Sequence, residues 1–413
     1  MPDDRMASEN SAAKQTTDAN VQTTIWTKSF ISIFFTSLAL NLGINMNNSI
    51  LALYVDSLGA QAGVIGLLMS SFAISAILFR LVSAPIMDAF NRKHIVALAT
   101  IVLSVAFFGF GLSKGIPALF GFRLLQGCGM AFGNACCLAI VADMLPKDKY
   151  SRGIGYYSLA QVMCQAVGPS VGLFLVDKLD YRGTFITVAC VMLIATLLAT
   201  QIKTNFTRTK KLKLSLNRII AKEAWLPSTL MFLVSAGASP IMTFLILFAR
   251  NQGVTSNIGL YFTVYAITML ATRPLVGRLT DKLGFVKVAI PALLCSFAAF
   301  FVISSSASLL SFLFAAFISA FGVGACTPAL QSLTMKAVTA ERRGVASATN
   351  HIGLDLGVLV SPAIAGGIVE SFGYAPMWYA MSVFFLIAML VMFLFRSKIV
   401  GIERNFLSGA KDD

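Results

Sequence analysis

Asp355 lies about eleven residues into the apolar stretch 344–369. A carboxylate at that depth in a lipid-spanning segment is costly unless it is paired, hydrated or protonated. Two roles fit: it carries a proton or pairs with a cationic ligand, or it organises hydrogen bonds between helices beside Gly353 and Gly357. His351 stands one helical turn earlier, so both side chains can face one cavity. An imidazole titrates near neutral pH and can share a proton with a carboxylate, or it can pack as a polar neighbour of Asn350. Arg123, a turn and a half into the stretch 117–141, needs a carboxylate, water or a group of carbonyls, which the stretches 30–55 or 62–86 could supply.

Uncharged polar residues form a second group. Asn41, Asn45 and Asn48 share one helical face, and with Asn47 they put four amides in one apolar segment. That is costly unless they meet an aqueous cavity or neighbouring helices. Gln126, Asn134, Gln161, Gln165 and Gln331 are further candidates for the same pathway. The seven cysteines lie in apolar segments without CxxC pairs or His partners, and read as small buried hydrophobes, with no metal site expected. Trp26, Trp225 and Trp378 fall near segment ends, as interface anchors would.

These residues must be positioned by membrane helices. The chain has 413 residues, 57% hydrophobic and 12% charged, with mean hydropathy +0.79. A water-facing surface needs about a quarter of residues charged, so a soluble multidomain enzyme is excluded. The net charge of +14 is scattered between apolar blocks, without the aromatic-interleaved basic face that nucleic acid would require. A spanning helix needs about 20 apolar residues. Turn and charge signals divide the chain into twelve: 30–55, 62–86, 94–113, 117–141, 153–176, 183–202, 224–249, 256–278, 286–304, 307–333, 344–369 and 373–395.

With both termini placed in the cytoplasm, 24 of the 32 Lys and Arg fall in inner tails and loops, and only Lys114, Lys178, Arg182 and Arg250 fall outside. That asymmetry sets the expected orientation. The expected organisation is an N-terminal tail 1–29, a six-helix bundle 30–202, a basic linker 203–222, a second six-helix bundle 223–396 and a tail 397–413. Residues 1–29 lack the apolar core of a signal peptide.

The halves repeat. FAISAILFRLVSAPIMD at 72–88 aligns without gaps on YAITMLATRPLVGRLTD at 265–281, pairing Arg80 with Arg273 and Asp88 with Asp281 at an offset of 193. SRGIG at 151–155 matches RRGVA at 342–346. Asp88, Arg92, Lys93, Asp281 and Lys282 fall at inner turns, where they can pair with arginines or helix ends and act as a gate, and Arg80 and Arg273 lie about two turns away. Gly168, Pro169 and Gly172 interrupt one apolar segment, and Gly357, Pro362, Gly366 and Gly367 another, as hinges or close-packing points.

Taken with these repeats, APIMDAFNRK at 84–93, GRLTDKLG at 277–284, FRLLQGCG at 122–129 and GPSVG at 168–172 resemble signatures of the major facilitator superfamily, and the resemblance covers nearly all of 30–396. It implies an all-α membrane protein of twelve transmembrane helices in two pseudo-symmetric bundles, similar to the proton-coupled exporters of drugs and metabolites. It makes Arg123, with Gln126 nearby, a candidate for proton coupling beside Asp355 and His351.

The expected function is secondary active transport in a bacterial inner or plasma membrane. Proton-coupled antiport exporting a small or medium amphipathic compound is the first expectation, and proton-coupled symport importing a small organic metabolite is the alternative. Expected partners are lipids, protons and a small molecule, with no nucleic acid and no cofactor, for a functional monomer. No GxxxxGK[ST] loop supports an ATP pump. With Arg123 as the one arginine far from both inner ends, a highly charged anionic cargo is disfavoured.

Overall fold

The computed structural model describes residues 25–145, 150–202, 220–339 and 342–409. Long apolar runs become helices because lipid offers backbone groups no partner, so each must bond within its own segment. The helices are α1 (Lys28–Ser57), α2 (Ala62–Ala89), α3 (Arg92–Leu112) and α4 (Ile116–Met144). The segment Tyr150–Thr200 breaks at Asp180 (φ 58°, ψ 177°) into α5 before it and α6 after it. The second half holds α7 (Trp225–Asn251), α8 (Leu260–Leu283), α9 (Phe285–Ser304), α10 (Leu309–Lys336), α11 (Arg343–Phe372) and α12 (Tyr374–Leu394). Together these are two pseudo-symmetric six-helix bundles in an all-α membrane protein.

Local chemistry sets the ends. The Thr27 hydroxyl accepts from the Phe30 amide at 3.2 Å, and the Asn91 side chain accepts from the Lys93 amide at 3.0 Å. Ser308 and Ser311 form a reciprocal capping box before α10. Gly284 and Gly373 take positive φ between α8 and α9 and between α11 and α12, which a two-helix corner this tight requires.

Two features depart from expectation. The loop expected around 177–182 is a break at one residue, with the Thr184 hydroxyl donating to the Asp180 carbonyl at 2.7 Å to start α6. The expected C-terminal tail contains a helix, α13 (Arg396–Gly409). Its Glu403 carboxylate accepts from the Phe285 amide at 3.0 Å and so caps α9. Most of the basic linker, 203–219, lies outside the described residues, and Lys222–Ala224 forms a short 3-10 turn.

The repeat extends to packing. A Cβ on Gly129 would stand 3.1 Å from the Ala99 carbonyl oxygen, and one on Gly322 2.9 Å from that of Ala292. Both glycines and both alanines are separated by the offset of 193, so α4 lies on α3 as α10 lies on α9. Trp378 is no interface anchor: it is fully buried against Phe248 and Phe300. Cys136, Cys137, Cys164 and Cys326 are buried, whereas Cys190 is exposed.

Close packing at the paired glycines gives a stability prediction. Gly129→Leu and Gly322→Leu should each destabilise by about 1–3 kcal/mol through overpacking. Gly121→Ala, where nothing stands within 4 Å of the new Cβ, should leave the thermal midpoint unchanged or raised. Thermal unfolding of the purified variants in detergent checks both.

Candidate functional site

The two halves meet along α2 with α11 and α5 with α8. On the face opposite the described chain ends, the Gly63 amide donates to the Glu370 carboxylate at 3.2 Å. A Cβ on Gly66 would run into the Pro362 carbonyl, and one on Gly366 into that of Ala62. The sequence offered Pro362 as a hinge; in the structure it is also the surface against which α2 closes. On the other seam Ser170 and Thr263 stand 3.5 Å apart, and Thr263 donates to the Ala166 carbonyl at 3.4 Å.

Deeper in, Arg80 Nε donates to Asp355 Oδ2 at 2.8 Å, joining α2 to α11. Sequence reading placed these two residues in separate roles, one at a gate and one in the core. With 275 positions between them, no local spacing could reveal the pair. His351 Nδ1 donates instead to the Ser347 carbonyl of its own helix at 2.9 Å. The described hydrogen bonds between halves all lie from the level of Arg80 and Asp355 toward the opposite face.

Between the halves lies a cavity of about 430 Å³. Most of its wall is apolar or aromatic, including Met69, Phe72, Met231, Tyr261, Tyr265 and Met269. Asn48, Arg123, Gln165, Arg273, Asp355 and Pro362 also line it. Arg273, expected near a gate, therefore stands in the cavity wall. Its guanidinium makes no hydrogen bond or ion pair with the described residues, and its Nε is buried without a partner.

Arg123 is 2% exposed and forms no ion pair with a carboxylate among the described residues. It donates to Gln126 Oε1 at 2.6 Å and to Asn48 Oδ1 at 3.0 Å, and its guanidinium carbon lies 4.9 Å above the Phe72 ring. Asn47 donates to the same Gln126 oxygen at 3.1 Å. Two amide oxygens and a π face thus hold a buried cation in place of a counter-ion, with Asn47 sharing one of those oxygens. Its Nε has no partner among the described residues.

The other sequence candidates separate from the cavity. Asn41 donates to the Ser37 carbonyl at 2.8 Å and lies 3.4 Å from Asn134 Oδ1, while Asn45 donates to the Asn41 carbonyl at 2.7 Å. Gln161 and Gln331 are half-buried and do not line it. Gly168 and Gly172 let α5 approach Asn45, Met46 and Ile50 of α1, with Pro169 between them, and Gly357 lets α11 approach the α7 backbone. Arg92 pairs with Asp143 at 2.5 Å on the face that carries the chain ends, where Glu223 also pairs with Arg342. Lys93 and Lys282 lie at helix ends on that face, and the side chains of Asp88 and Asp281 lie outside the described residues. Phe72, Met69 and Tyr265 were not singled out by sequence, since an aromatic or Met in an apolar run carries no distinguishing signal.

A sequence profile of the Major Facilitator Superfamily matches residues 33–227 and again 227–405. The chain is 26% identical over 346 residues to the multi-drug resistance efflux pump PmrA of Streptococcus pneumoniae serotype 4, covering 80% of this chain and 86% of that protein. A peptide transporter POT solved with sulfate superposes with TM-score 0.79 at 14% identity, over 94% of this chain and 99% of that one. A bacterial homologue of the human lysosomal transporter Spinster, solved inward-facing and unoccupied, gives TM-score 0.74 at 18% identity, over 92% and 97%.

The amide cradle around Arg123 makes a double-substitution prediction. Gln126→Leu leaves donors on Arg123 and Asn47 without an acceptor and should cost about 1–3 kcal/mol for each. Adding Arg123→Met removes the buried charge and should restore part of the loss. Thermal midpoints of the single and double variants would show this non-additivity.

Proposed function

Because the chain belongs to the major facilitator superfamily, and so is a secondary active transporter of small molecules, we propose that it is a proton-coupled antiporter exporting a small or medium amphipathic compound by alternating access. The observation that carries this reading is the Arg80–Asp355 pair, which ties the two halves together beside the cavity. Protonating Asp355 removes its charge and leaves Arg80 without a counter-ion, so one proton changes the free energy of holding α2 against α11. The groups that bear on this step are Arg80 on α2, His351 on the same helix as Asp355, and Arg273 across the cavity.

The mostly apolar wall suits an amphipathic cargo, and the similarity to a multidrug efflux pump supports export. In the proposed orientation the face with the chain ends is cytoplasmic, in agreement with its excess of Lys and Arg. Closure of α2 on α11 at Gly63, Gly66 and Gly366 then belongs to an inward-facing state, the one an exporter loads from the cytoplasm. Cargo binding and exchange of a proton at Asp355 shift the balance between the two arrangements of the halves about these seams, and no covalent chemistry is involved.

In vesicles reconstituted with the protein, cargo uptake against an imposed proton gradient should be accompanied by proton movement in the opposite direction. Asp355→Asn should abolish the proton-driven component, by at least about tenfold, while leaving the protein folded. Proton and cargo moving in the same direction would make the protein a symporting importer, and full gradient-driven transport by Asp355→Asn would remove Asp355 from coupling.

A further inference from the structure

The duplicated arginines have different surroundings. Arg80 meets Asp355 on α11, whereas Arg273, its counterpart at the offset of 193, meets no carboxylate among the described residues. By pseudo-symmetry the partner of Arg273 should stand on α5. The register that pairs SRGIG with RRGVA sets Cys164 opposite Asp355, and the register that pairs Arg80 with Arg273 sets Val162 there. Neither residue carries a charge, and Val162 packs against Met269 of α8 in a small apolar cluster. Among the described residues the second seam has therefore kept its cation without a matching anion.

Arg123 lines the same cavity, fully buried, with neutral amides for partners and an unsatisfied Nε. Asp355, the carboxylate in the cavity wall, is already met by Arg80. The described charges around the cavity thus leave an excess of two guanidinium groups in a largely apolar enclosure. A guanidinium presents donors in a planar fork that matches a carboxylate, and an unpaired one in a low-dielectric site attracts an anion strongly. The sequence-based expectation counted Arg123 alone in the interior; the structure adds Arg273 to the cavity wall.

We propose that the cargo is an amphipathic organic anion, whose carboxylate or equivalent oxyanion supplies the counter-charge that α5 does not give Arg273, with Arg123 as the second cation, and whose apolar body lies against Met69, Phe72 and Tyr265. This rests on reading the cavity as the cargo site of a transporter. It also separates two functions by half: an internal carboxylate neutralises the arginine of the α2–α11 seam, and the cargo neutralises that of the α5–α8 seam.

The test is equilibrium binding by calorimetry to the full chain in lipid nanodiscs, with empty discs subtracted and no proton gradient. The probes are three compounds of one skeleton: naphthylacetate, naphthylacetamide and naphthylethylamine. The acid should bind at least about tenfold more tightly than the amide, with the amine weakest. Arg273→Gln should bring the acid to within about threefold of the amide while amide binding persists, which shows that the variant is folded. Val162→Asp, which supplies an internal carboxylate and keeps Arg273, should produce the same loss. An amine that equals or exceeds the acid, an acid preference that survives Arg273→Gln, or no saturable binding of any probe to the wild type would overturn the proposal. Anion binding without proton-linked transport would instead count against the antiport reading alone, and proton-linked export without anion preference would count against this inference alone.

Discussion

A charge inside a membrane protein has to be answered by another charge, by dipoles or by water, and the architecture of this chain follows from how each of its deep charges is answered. Asp355 and Arg80 answer each other across the two halves at 2.8 Å. Because each comes from a different bundle, the halves cannot separate at that level without exposing two uncompensated charges in low dielectric. The glycine contacts between α2 and α11 nearer the opposite face make the same approach sterically possible, since a Cβ at Gly66 or Gly366 would strike backbone. Packing and electrostatics thus act on one pair of helices.

The other deep charges are answered differently. Arg123 has a cradle of amides and an aromatic face, which fixes its position without neutralising it. Arg273 has no described partner. A duplicated fold has in this way acquired an asymmetric interior: one seam is internally compensated, and the other carries a cation toward the cavity with no carboxylate partner among the described residues. Pseudo-symmetry of backbone packing, visible in Gly129 on Ala99 and Gly322 on Ala292, coexists with this divergence because helix packing depends on small side chains at the contact rather than on the charges beside the cavity.

The helices, their number and the repeat were legible in the sequence because lipid leaves so few backbone choices. The depth of Asp355 and Arg123 was legible for the same reason, since a charge in an apolar run is conspicuous. The pairing of Arg80 with Asp355 was not, because it joins residues from different halves, and the assignment of Arg273 to a gate came from its distance to the inner turn rather than from what α8 faces. The break at Asp180 is a single-residue backbone event that turn signals smear over several positions. Helix α13 has a sequence signal of its own: apolar residues at Ile399, Ile402 and Phe406 recur at helical spacing among Lys398, Glu403 and Arg404. Trp378 shows the limit of position as a guide, for a residue near a span end can still be the centre of a bundle core.

The claim on which the mechanism depends is that protonation of Asp355 loosens α2 from α11. The most direct measurement is a spin-label distance across the closed seam, between Gln61, just before α2, and Phe372, at the end of α11, followed as a function of pH in lipid. The wild type should shift toward longer distances as pH falls, and Asp355→Asn should show the long distance at every pH. A pH-dependent shift that persists in Asp355→Asn would contradict the account, because the proton that moves the helices would then be held elsewhere.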